Sequence, residues 1–165
     1  MLKLLPILFF AAVNISQISI FEIDGIFSNG HINAIQRYVD ENDLRESNLF
    51  VIQYNASDTS ENSVTELQEL LKDIKTPKAI WVGPNETIVD AGLLKSFDYV
   101  GISPGTTIIN KLSNNEFEFL DQEGIYEGYM VVGSIGAFIE NLGSENIISN
   151  LTLSLIHISE PTRPR

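Results

Sequence analysis

The stretch Pro77 to Ile108, PKAIWVGPNETIVDAGLLKSFDYVGISPGTTI, decides how the rest of the chain is arranged. An apolar run from Lys78 to Val82 stops at Gly83-Pro84, and a polar turn follows. Residues Ile88 to Phe97 then carry apolar positions at helical spacing, and a second apolar run, Tyr99 to Ile102, stops at Ser103-Pro104-Gly105. The pattern predicts strand, loop, helix, strand. In parallel α/β sheets the loops at the carboxyl ends of the strands hold ligands and chemistry. Gly83, Pro84, Ser103, Pro104, Gly105 and Thr106 are therefore the candidate binding positions.

Upstream of this stretch, Ile18 to Ile23 is rich in β-branched and aromatic residues and reads as a first strand, ended by Asp24-Gly25. Ile26 to Gly30 reads as a turn. His31 to Glu41 places Ile32, Ile35, Tyr38 and Val39 on one face of a helix, and Leu49 to Tyr54 is a continuous apolar strand of the kind covered on both faces. Asn55 to Asn62 reads as a polar loop. Ser63 is placed to cap the next helix with Glu66 reaching back, and Val64, Leu67, Leu71 and Ile74 form its buried stripe before Pro77. Downstream, Phe117 to Gln122 is a short helical or extended piece and Gly128 to Val132 is strand-like. Ser134 caps a helix from Ile135 to Leu142, and Ile147 to Leu153 reads as a last strand. Successive strand-helix-strand units predict an α/β fold with a mostly parallel sheet, right-handed crossovers and helices on both faces.

The chain has 165 residues, enough for one core and short for two. Its formal charge of −12, from 22 acids against 10 bases, excludes the basic patch that nucleic-acid binding needs, so no nucleic acid is expected as partner. No cysteine is present, which removes disulfides and thiolate metal sites. Lys3 followed by the apolar run Leu4 to Val13 has the form of a secretory leader, so residues 1–17 are expected to be a signal peptide or membrane anchor and the folded domain to span 18–150. From Leu153 the chain reads LSLIHISEPTRPR, which resembles a translated sequencing adapter, so 154–165 is expected to be an artefactual tail.

The runs ISIFEIDGIFSNG, LFVIQYNASDTSENSVTELQELLKDIKTPKAIWVGP, SFDYVGISPGTTI and DQEGIYEGYMVVGSIGAFIENLG together resemble the extracytoplasmic N-terminal domain of NfeD-type proteins, encoded beside stomatins. The resemblance implies a ClpP/crotonase-like fold, a Ser-Lys serine protease ancestry, a stomatin-like membrane partner, homo-oligomerisation and exported, membrane-associated localisation.

It also implies three catalytic parts. An oxyanion hole is built from backbone N–H groups of a glycine pair after the second strand, yet here Tyr54 to Ser60 contains no glycine. The nucleophilic serine opens the helix after the Gly-Pro strand end in a Ser-Ala-Gly setting, and the matching triplet is Asp90-Ala91-Gly92. An aspartate cannot form the acyl ester that a serine forms. The general base is a desolvated lysine on a helical segment that this chain lacks, and the nearest substitute, Lys111, sits among Asn110, Ser113, Asn114 and Asn115.

The reading that follows is a catalytically inactive ClpP-like domain acting as a binding or assembly module in membrane protein quality control. Two alternatives remain open at this stage. One is an active protease using Thr87 or Ser96 with Lys95 or Lys111; the other is an unrelated exported α/β binding domain. No cofactor and no metal are expected. His31 has the start-of-helix position of a surface histidine, and Asp58, Glu61 and Glu66 lack the spacing and turn glycine of a calcium loop. Asn14, Asn55, Asn85 and Asn150 each open an Asn-x-Ser/Thr triplet, a frequency that the asparagine content explains.

Overall fold

The computed structural model describes residues 17–41, 47–59, 61–83, 88–110, 116–120, 124–126, 129–144 and 154–158. Its elements, in chain order, are β1 (Gln17–Phe27), α1 (Asn29–Glu41), β2 (Ser47–Thr59), α2 (Glu61–Asp73), β3 (Lys78–Val82), β4 (Ile88–Asp90) and α3 (Ala91–Leu94). They continue with β5 (Tyr99–Ile102), β6 (Thr106–Asn110), β7 (Glu116–Leu120), β8 (Gly124–Tyr126), β9 (Tyr129–Val131), α4 (Ile135–Ser144) and β10 (Ser154–Ile158). A seven-stranded sheet has the order β10-β1-β2-β3-β5-β9-β8, and a three-stranded sheet has the order β4-β6-β7. Every pairing in the large sheet is parallel except β8 with β9, so the fold is α/β with a mostly parallel sheet.

Alternation along the central strands divides the core in two. Phe21 and Ile23, Phe50 and Ile52, Ile80 and Val82, with Val100 and Ile102, point to one face and pack under α1, α2 and α3. Ile18 and Ile20, Leu49 and Val51, Ala79 and Trp81 point to the other, where Phe138, Ile139 and Leu142 of α4 cover them. Helices thus lie on both faces, and the period of two along each strand is the cause. Each fully buried large side chain, such as Phe50 or Leu71, contributes about 1.5–3 kcal/mol. α4 approaches Gly101 on β5 closely, since a Cβ there would lie 2.5 Å from the Phe138 ring. Trp81 Nε1 donates to the Val132 carbonyl at 3.3 Å and ties the approach to α4 to β3.

Three hydroxyls beneath α1 are joined. Tyr38 on α1 donates its hydroxyl to Ser19 Oγ at 2.9 Å, and Ser19 Oγ meets Ser47 Oγ at 2.8 Å, which links α1, β1 and β2. Buried hydroxyls left unpaired would each cost about 1–3 kcal/mol.

Several elements differ from the sequence expectation, each through a tertiary partner. β1 and β2 do not stop at Asp24-Gly25 and Tyr54 but pair on to Phe27 and Thr59, so most of the expected polar loop after Tyr54 is strand. The register slips at Gly25/Ile26, where Ser57 is bulged and donates its hydroxyl to the Gly25 carbonyl at 3.1 Å, and Gly25 takes a φ of 74°. α2 opens at Glu61, so Ser63 is inside the first turn, buried, and donates to Asn29 Oδ1 at 3.2 Å rather than capping with Glu66. His31 is buried instead of surface-lying: its ring meets that of Phe27 at a tilt of 56° with centroids 5.9 Å apart, and its Nδ1 accepts from the Ser28 N–H at 3.4 Å. Phe117 lies in an extended strand, β7, that pairs antiparallel with β6.

The expected strand Ile147 to Leu153 and the leader up to Ser16 lie outside the described residues. β10 pairs its backbone in parallel with the amino half of β1, Ile158 opposite Phe21. Such pairing needs only an extended segment beside an available edge.

Candidate functional site

The carboxyl ends of β3 and β5 meet. Gly83 leaves β3 with its N–H bonded to the Tyr54 carbonyl at 3.0 Å, and Ser103 leaves β5 with its N–H bonded to the Val82 carbonyl at 2.6 Å. The two exits are packed so tightly that a Cβ on Gly83 would sit 2.5 Å from Ser103 Cβ, with the Trp81 ring at 3.1 Å on the same side. That approach is the reason for glycine at this strand end. After Ser103 the chain turns sharply: Thr106 N–H bonds back to the Ser103 carbonyl at 3.2 Å, and Gly105 takes a φ of 82° that side chains disfavour. Ser103 and Thr106 are both buried, and Thr106 Oγ1 has no hydrogen-bond partner.

Asp90 does not lie within the helix that the spacing of Ile88 to Phe97 suggests. That segment divides: Ile88 to Asp90 form β4, paired in parallel with β6, and only Ala91 to Leu94 are helical. Asp90 is the N-cap of α3, half-buried, with extended φ and ψ of −79° and 128°, and its Oδ1 accepts the Gly92 N–H at 2.7 Å. Oδ2 is buried without a partner. Gln68 on α2 donates to the Gly92 carbonyl at 2.9 Å, so both polar groups of Gly92 are held, one by Asp90 and one by α2.

The other named positions do not converge on Asp90. Lys95 is the exposed C-cap of α3, and Ser96 is half-buried in the turn beyond it, its N–H bonded to the Leu93 carbonyl at 3.0 Å. Asp90 stands opposite Ile109 on β6, three register positions from Thr106, a separation of roughly 10 Å along the strand. Val89 pairs with Ile108, and both are buried, so Thr106 shares their face while Asp90 lies on the opposite one. Carboxylate and hydroxyl therefore do not form one site. Pro84, Thr87 and Lys111 lie outside the described residues.

The segment that replaces the glycine pair is strand as well. From Asn55 to Thr59 the backbone runs in the ladder with β1, where successive N–H groups point to opposite edges and do not gather on one oxygen, the bulge at Ser57 being the one interruption. Asn55 donates its side-chain amide to Glu22 Oε1 at 3.3 Å, beside Gln53 at 3.4 Å. No pattern in the sequence distinguished this β1–β2 extension from a loop. Among the described residues there is no group of three acidic, histidine or cysteine side chains that could hold a metal ion, and no helix long and apolar enough to cross a membrane.

No family model and no curated protein matches the chain. Among solved structures it is similar to the 1510-N membrane-bound stomatin-specific protease in a mutant form, at 14% identity and a TM-score of 0.49 over 66% of this chain. It is also similar to the 1510-N membrane protease specific for a stomatin homolog from Pyrococcus horikoshii, at 15% identity and a TM-score of 0.49 over 60% of the chain. A third, more distant likeness is to an enoyl-CoA hydratase/carnithine racemase homologue from Magnetospirillum magneticum, at 13% identity and a TM-score of 0.37 over 48% of the chain. The chain spans 56% and 51% of the lengths of the two protease structures and 37% of the third.

Proposed function

We propose that this chain is a ClpP-like domain of the NfeD type that does not hydrolyse peptides and serves as a binding or assembly module, exported and held at a membrane. The single observation that carries the reading is the state of Asp90. It stands where the resemblance puts the nucleophile, and its carboxylate is used as the cap of a one-turn helix, bonded to the Gly92 N–H. A carboxylate engaged in this way closes the first turn of α3 and does not supply the hydroxyl that acyl transfer requires. Two further features support it. The backbone from Asn55 to Thr59 is committed to a strand ladder instead of offering paired N–H donors, and Lys95 is exposed at the C-cap of α3, without the burial that a lysine base requires.

The retained parts are those that shape a strand-end surface: the Gly83–Ser103 contact and the Pro104-Gly105 turn. The resemblance implies a stomatin-like membrane protein as partner and homo-oligomerisation.

Labelling with a fluorophosphonate probe tests the loss of hydrolysis. The expected result is no covalent adduct on the intact chain. Labelling that disappears in Thr87→Ala or Ser96→Ala would overturn the reading and establish a serine or threonine hydrolase. Binding is tested separately, by titrating the purified chain against a stomatin-type protein reconstituted in vesicles; saturable association is expected, and its absence would remove the partner while leaving the first result standing.

A further inference from the structure

We draw no further inference here: the strongest candidate, the outer face of the β1–β2 extension where Glu22, Asp24 and Asn55 stand with the exposed Ile26 beyond the cluster covered by α4, is an acidic cluster beside one apolar side chain, and nothing in the structure shows what covers it.

Discussion

β3 and β5 lie side by side and end at nearly the same level, yet the chain leaves them in different ways. The exit from β5 is closed: Ser103 is buried, Gly105 makes a tight turn, and only three residues separate the end of β5 from Thr106, the first of β6. The exit from β3 reaches β4 and the Asp90 cap, where a half-buried carboxylate holds a single helical turn. The β5 exit is held by packing and backbone geometry throughout, whereas the segment that the β3 exit reaches is held by a side chain. Loss of packing at the sheet costs more than loss of a cap, so the two regions should respond to substitution on different scales.

The largest effect is expected at the sheet itself. Phe138→Ala removes the fully buried ring that α4 sets against Gly101, and should cost about 3–5 kcal/mol of unfolding free energy. Denaturant titration followed by the emission of Trp81, the only tryptophan, measures it. A cost below about 1 kcal/mol would mean that the α4 face is not a core.

Gly83→Ala comes next, because its Cβ would collide with Ser103 Cβ and the collision is between atoms fixed to two backbones. A loss of about 1–3 kcal/mol is expected. If alanine is tolerated without loss, the two exits do not touch as described.

Asp90→Ala should cost less, about 0.5–2 kcal/mol, and should sit near the low end because truncation also removes the buried, unpartnered Oδ2. Asp90→Asn keeps an acceptor for the Gly92 N–H and should recover most of the loss; amide exchange at Gly92 gives a local readout. If Asn is as damaging as Ala, the charge matters and the capping account fails.

Thr106→Val is the smallest change and the one with the opposite sign. Its hydroxyl is fully buried and unpartnered, so an apolar side chain of the same shape should be neutral or stabilising by about 1 kcal/mol. Destabilisation would show that the hydroxyl has a role in the closed exit.

The extent to which these two regions could be read from sequence differs in the same way. The bounds of β3 and β5, Lys78–Val82 and Tyr99–Ile102, match the apolar runs because both strands are central, covered on each face, and stopped by glycine or serine before proline. Ser134 also meets its expectation, its Oγ accepting the Ala137 N–H at 3.2 Å. Between Ile88 and Phe97 the spacing misled for a physical reason: Val89, Leu93, Leu94 and Phe97 all enter one core, but β6 offers Ile88 to Asp90 a ladder that helix periodicity does not reveal. His31 was legible only as a polar residue beginning a helix. Its burial depends on Phe27, which lies on β1 only because that strand runs past Gly25.

The sequence by itself determined the alternation of strands and helices and the parallel α/β class. Those follow from residue type and local period, which need no distant partner. The lengths of β1 and β2, the division of Ile88 to Phe97, and the use of Asp90 as a cap with one oxygen engaged were decided by the tertiary structure. Each depends on a hydrogen-bonding neighbour brought up by the fold, such as β6 beside Ile88 to Asp90, and local pattern carries no information about which edge or donor will be there.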